Sequence, residues 1–269
     1  MRAGAGKSRL PQLPMEITAF AALILCWQLG VWMFHPRPII LPGPYAVLEE
    51  ILDQPGFYLA NSVATVTNTL GAFALAVVIG VAIAVAVVHS PFLERTLYAA
   101  LVAFNNVPKV ALAPLFVIWL GTGSSSKVAM AFMVSILSIV IAAVLGFRSI
   151  QPEMTDLGRS LRGSRMKMLL KIRLPQALPS IFAGLKIAIS LSLVGAIVGE
   201  FVAAQQGLGY VILAALGAFR IERVFAAVLL LAIIGTALYY AVEFAERRII
   251  PWHVSHRHRM TRTPSAVQG

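Results

Sequence analysis

The sequence is poor in charge, in acid and in cysteine, and each shortage removes a class of protein. Only 12% of its 269 residues are charged, while 59% are hydrophobic and mean hydropathy is +0.83. A water-soluble globule carries about a quarter of its residues charged, so the composition is that of an integral membrane protein. The single cysteine, Cys26, sits within an apolar run, which excludes an intramolecular disulfide and leaves the redox compartment open. Also missing is a complete phosphate-binding loop. Gly4 to Ser8 read GAGKS, yet the pattern asks for another glycine five residues before Gly6, where Met1 stands. No strand is expected ahead of Gly4, and Pro11 and Pro14 interrupt the helix that should follow. Residues 1–15 therefore read as a basic, flexible cytoplasmic tail. No internal repeat or low-complexity domain is visible.

What the chain has is long apolar runs. A helix crossing a hydrocarbon core of roughly 30 Å needs about 20 residues, and runs of that kind fall near 16–34, 62–88, 97–120, 128–147, 176–200 and 224–245. The first is not a lipoprotein signal ending at Cys26, because Ile24 and Leu25 precede the cysteine and the run continues to Phe34. The expectation is an all-α membrane protein of about six transmembrane helices over 16–250, with a cytoplasmic tail over 251–269.

The formal net charge is +11, and its distribution assigns its meaning. With the N-terminus inside, three Lys and Arg precede the first helix, one lies in the second connection, seven run from Arg148 to Arg173 and five lie from Arg247 onward, 16 of 22 in all. Arg37, Lys127, Arg220 and Arg223 fall outside, and Lys109 and Lys186 within apolar segments. The asymmetry places both termini in the cytoplasm, so the basic excess reports topology and contact with the lipid bilayer, and nucleic acid is not an expected partner.

Two connections are too long for simple turns. On the outside, PRPIILPGPYAVLEEILDQPG holds four prolines before an amphipathic helix candidate, Tyr45 to Leu52. Val47, Leu48, Ile51 and Leu52 share one face, Glu49, Glu50 and Asp53 are expected to point away, and the helix would lie on the membrane surface. On the inside, 148–175 reads as helix, turn, helix. Met154, Leu157 and Leu161 form a narrow apolar stripe, Gly163-Ser164 breaks it, a basic helix runs from Arg165 to Leu170, and Leu174-Pro175 marks the start of the next membrane helix. Composition alone favours a linker that binds anionic lipid.

Ionisable groups at membrane depth are functional candidates, because desolvation makes them costly without a partner or water. Lys109 lies between Pro108 and Pro114, where helical hydrogen bonding must be interrupted and broken helices line cavities; a hinge or inner-vestibule role is expected. Lys186 reads as snorkelling or structurally paired. Glu200 either serves a pathway or pairs with Arg220 or Arg223. After it, Gly207 and Gly209 permit a tight reversal, followed by an apolar stretch too short to span. Gly71 to Val88, rich in Ala, Val and Gly, should pack closely against neighbours. The histidines at 253, 256 and 258 read as solvated surface, and no catalytic constellation or resident metal or cofactor is expected.

The inner connection resembles the inner-loop signature of bacterial ABC importer permeases when aligned on Leu174-Pro175. Ile172 matches the aliphatic position, Asp156 stands where Glu is usual, Leu157 and Gly158 replace two alanines, and the glycine position falls on Arg162, with Gly163 one step later. VPKVALAPLFVIWLGTGSSSK at 107–127, VGAIVGEFVAAQQGLGYVIL at 194–213 and ERRIIPWHVS at 246–255 look like the nitrate, sulfonate and taurine permease family, most of all its subgroup linked to thiamine-pyrimidine precursors and riboflavin. The resemblance implies the type I permease architecture with a cytoplasmic coupling helix, in the inner membrane. It also implies a second permease copy, here a homodimer, ABC ATPase subunits that bind ATP and Mg, and an extracytoplasmic substrate-binding protein. Asp156, Leu157, Leu161, Arg162, Gly163, Ser164 and Arg165 then contact the ATPase, and Pro108, Lys109, Pro114, Glu200, Gly207 and Gly209 belong to the pathway or its outer gate. A secondary transporter or channel without an ATPase is the alternative; it should show paired broken helices in repeated halves, which are not found.

Overall fold

The computed structural model describes residues 15–37, 39–90, 92–93, 96, 103, 106–149 and 165–251. The GAGKS stretch, most of 91–105, the histidines of the tail and the coupling candidates Asp156, Leu157, Leu161, Arg162, Gly163 and Ser164 lie outside the described residues.

Every regular element described is helical. Helix α1 spans Met15–Phe34, α2 Pro44–Asp53 and α3 Pro55–His89. Proline opens both α2 and α3, where its fixed φ suits the first turn and its missing N–H costs nothing. A 3-10 turn over Lys109–Leu112 leads into α4, Ala113–Leu120, and α5 follows over Ser124–Arg148. Arg165–Met168 form α6, which runs through a π turn at Leu169–Arg173 into α7, Leu174–Ala203. The short α8, Leu208–Gly217, and the long α9, Ile221–Ile249, are the last described elements.

Helices α3, α5, α7 and α9 are long and apolar enough to cross a membrane. α7 is the central one, packing on α5 along its whole length and also on α3, α8, α9 and α4. The α5–α7 seam closes because small residues face backbone. A Cβ at Gly195 would sit 2.6 Å from Ala131 Cα, and one at Gly146 would sit 2.8 Å from the Ala177 carbonyl oxygen. The close packing expected of Gly71 to Val88 is found at Gly80, where a Cβ would come 3.0 Å from Ile139. The buried face of α3 carries Asn61, Thr65, Asn68 and Thr69 in its first half and Ala72, Ala76, Gly80, Ala84 and Val87 beyond.

Leu174-Pro175 opens α7 as expected, and the preceding π turn joins it to α6 without interruption, with Leu174 N–H donating to Leu169 O just before a proline that has no N–H to give. Two local expectations are corrected. The basic helix from Arg165 is α-helical only to Met168. Helix α2 does not simply lie on a surface: Val47 is buried with Leu208, Val211 and Ala226 against α8 and α9, and Glu50 turns toward the bundle rather than away from it.

Candidate functional site

At the end of the bundle where α7 finishes and α3 and α5 begin, the helices stop being purely apolar. Glu200 is 1% exposed and Lys127 4% exposed, and Asn61, Thr65 and Asn68 are buried beside them. Such groups persist in an apolar interior only when hydrogen bonds replace the water they have lost. Here most of the bonds go to backbone.

The start of α8 supplies three of those partners. Gly207 N–H donates to Asn61 Oδ1 at 2.8 Å, Leu208 N–H to Thr65 Oγ1 at 2.8 Å, and Gly209 N–H to Glu200 Oε2 at 2.8 Å. These amides have no partner within their own helix, so α8 is capped by side chains of α3 and α7 instead of by its own sequence. Thr65 Oγ1–H donates in turn to Glu200 Oε2 at 3.0 Å, which joins the cap into one network. Asn68 also bears on the Glu200 carboxyl, and Asn61 is oriented by donating through Nδ2 to Phe57 O at 2.8 Å.

Gly207 has φ +116°, a conformation essentially reserved for glycine, and a Cβ there would lie 2.5 Å from both Glu200 carboxyl oxygens. The two glycines thus do different things. Gly207 makes the turn, whereas Gly209 is already helical and is required because a Cβ would press to 2.9 Å of Glu200 Cβ.

Lys127, in the first turn of α5, donates its ammonium protons to the carbonyls of Thr122, Gly123 (2.9 Å) and Ala203 (3.1 Å). Lys127 and Glu200 attract each other electrostatically as well. Sequence reasoning counted Lys127 only as an outside charge and passed over Asn61, Thr65 and Asn68. The available signal was their spacing of four and three on one face of an otherwise apolar helix.

The other candidates separate from this cluster. Among the described residues Glu200 has no arginine partner: Arg223 Nε instead lies 2.8 Å from Glu50 Oε1, with its guanidinium 5.2 Å from the centre of the Phe57 ring, and Tyr58 Oη–H donates to the same Glu50 oxygen at 3.2 Å. Lys186 is structurally paired, its Nζ 2.5 Å from Glu246 Oε2 on α9. Pro108, half-buried Lys109 and Pro114 frame the 3-10 turn, at the opposite end of α4 from the turn held by Lys127. Arg165 begins α6.

Comparison with known proteins gives this arrangement a context. The chain is 34% identical over 247 residues to the riboflavin transport system permease protein RibX of Chloroflexus aurantiacus, covering 91% of this chain and 92% of the relative. It is 29% identical to the formylaminopyrimidine transport permease protein ThiX of Halalkalibacterium halodurans, over 87% of this chain and 93% of the relative. Its fold matches a chain of the inward-facing MetNI methionine ABC transporter with a TM-score of 0.65 and 17% identity, covering 73% of this chain and 98% of the other. Residues 76–251 match the family described as binding-protein-dependent transport system inner membrane component. That match decides between the two transporter classes left open by the residues. The chain belongs to this family and is a multi-pass bacterial membrane protein, the permease subunit of an ABC importer rather than an enzyme.

Proposed function

We propose that this permease moves a small polar organic solute into the cytoplasm, with a thiamine-pyrimidine precursor or riboflavin as the first candidates and sulfonate, taurine or nitrate after them. The observation that carries the choice is the 34% identity over 91% of this chain to a permease named for riboflavin transport, against 30% to one named for taurine transport. Two copies of the chain form the pathway, an extracytoplasmic binding protein delivers the solute, and partner ATPase subunits bind ATP and Mg and hydrolyse the nucleotide. Both termini face the cytoplasm. Arg148 closing α5, Arg173 preceding α7, and Arg247 and Arg248 closing α9 support this orientation, which puts the Glu200 cluster on the outer side.

In this reading the turn at Gly207 and the start of α8 form the outer gate, and the break between Pro108 and Pro114 with Lys109 lines the pathway below it. The segment from Asp156 to Arg165 seats on the ATPase through Leu157 and Leu161, with Arg162, Gly163 and Ser164 forming its turn and cationic rim.

The test uses the complex purified from its native membrane and reconstituted in proteoliposomes with its binding protein, and measures ATP-driven uptake of labelled riboflavin, formylaminopyrimidine and taurine. Uptake of either heterocycle in preference to taurine is expected; preference for taurine would reverse the substrate ranking. Arg162→Glu should lower solute-stimulated hydrolysis by about ten-fold while membrane insertion stays normal. Transport at the wild-type rate by that variant would remove Arg162 from the ATPase contact.

A further inference from the structure

The connector 204–207 joins two helix ends of opposite partial charge, the carbonyl end of α7 and the amide end of α8. Each end meets a side chain of the complementary kind. The Lys127 ammonium donates to Ala203 O, on the last residue of α7, and Asn61, Thr65 and Glu200 oxygens accept from the first amides of α8. An ammonium has three donors, and Lys127 directs them to three main-chain carbonyls in two segments, the α4–α5 turn and the end of α7.

We propose that Lys127 is a positioning residue for transport, clamping the α4–α5 turn to the end of α7, from which the connector 204–207 leads into α8, so that α4 and α8 move as one body. The proposal rests on the importer reading above. Three observations support it. The helices that carry the two sides are already in contact, since a Cβ at Gly199 of α7 would lie 3.0 Å from the Cα of Lys127 in α5. Helix α4 is only eight residues long, packs on α5 and α7, and leaves Ile118 and Trp119 exposed, so the turn that follows it is a main constraint on its position. That turn contains Gly121 at φ +80° with open space around it, and it would be easily deformed without the two bonds that Lys127 makes to Thr122 O and Gly123 O. Because Lys127 is buried and its donors are spent, it positions the gate without contacting solute. Its loss should therefore act on turnover, not on solute recognition.

The experiment uses the complete complex in lipid nanodiscs, assembled so that only one of the two permease copies carries labels, with Cys26→Ala in both copies removing this chain's native thiol and spin labels on Ile118→Cys in α4 and Leu216→Cys in α8 of one copy, both exposed positions. Pulsed EPR distances are recorded without nucleotide and in the vanadate-trapped ATP state, with Lys127 and with Lys127→Met. With lysine, one narrow distance common to both states is expected. With methionine, the distribution should broaden or split, kcat for solute-stimulated hydrolysis should fall about ten-fold, and KM for the solute-loaded binding protein should stay within about two-fold. An α4–α8 distance that shifts by several ångströms between states in the lysine protein overturns the proposal, as does a methionine variant with the wild-type distribution and rate. Should the methionine variant fail to assemble, the lysine protein's two states decide alone. The nucleotide-free widths need no ATPase, so a permease that purifies without one would sink the importer reading while the clamp is still judged by those widths.

Discussion

Helix α7 carries two ionisable residues about four turns apart, and the protein treats them in different ways. Lys186 meets an opposite charge, Glu246 on α9, with both side chains partly exposed. Glu200 is buried, and the hydrogen bonds to its carboxyl come from a backbone amide and the hydroxyl of Thr65. A charge-to-charge pair fixes the spacing of two helices, and any pair of opposite charges at those positions serves. A charge directed at backbone fixes one conformation of one loop, because the amides of Gly207, Leu208 and Gly209 converge on α3 and α7 only when φ at Gly207 is positive. The first arrangement is architecture. The second is suited to a gate that must be held in a defined closed geometry and released as a unit.

The largest effect that would break this comparison is expected at Gly207. Gly207→Ala forces a side chain into a glycine-only conformation, costing about 1–3 kcal/mol of backbone strain, and drives a methyl group onto the Glu200 carboxyl. Uptake in proteoliposomes should fall to background while the complex still assembles; uptake within about half of wild type would mean that this turn is not held during transport. Next in size is Thr65→Val, which keeps the volume but leaves the Leu208 N–H without its acceptor, a penalty of about 1–3 kcal/mol. Basal hydrolysis without binding protein should rise, and Thr65→Ser should restore coupling because it returns the hydroxyl. An uncoupled Thr65→Ser protein would show that the methyl group rather than the hydroxyl matters.

How much of this was legible before the structure follows from the reach of each interaction. Spans of α3, α5, α7 and α9 were readable because hydropathy along one helix is a local property. Glu200 and Gly207 stood out because a carboxylate and a glycine pair are conspicuous in an apolar stretch. Their partners Asn61 and Thr65 did not, since a bond across 146 or 143 positions has no local signature. The same limit explains Glu50, expected to face away from the bundle and found against Arg223, 173 positions later. The entrance to α7 was legible for a local reason, since Leu174-Pro175 signals a boundary by its own conformational preference and α7 begins there; the π turn that joins it to α6 has no such signal.

The smallest effect, and the sharpest contrast with Gly207, is expected at the Lys186–Glu246 pair. Lys186→Met leaves the Glu246 carboxylate at partly buried depth without its cation, so the thermal midpoint of the complex should drop. The double change Lys186→Met with Glu246→Gln should lose less than the sum of the two single changes, with an interaction energy of about 0.5–3 kcal/mol. Exchanging the charges, Lys186→Glu with Glu246→Lys, should recover most of the midpoint, and uptake by the exchanged protein should stay within about two-fold of wild type. Recovery of that kind is possible only where one charge has another as its partner. At Glu200 no exchange with Lys127 can succeed: a lysine at 200 offers only donors to Gly209 N–H, itself a donor, and a glutamate at 127 offers only acceptors to three carbonyls. An exchanged Lys186–Glu246 protein that assembled normally yet lost transport would move this pair from architecture into the mechanism and remove the distinction between the two charges of α7.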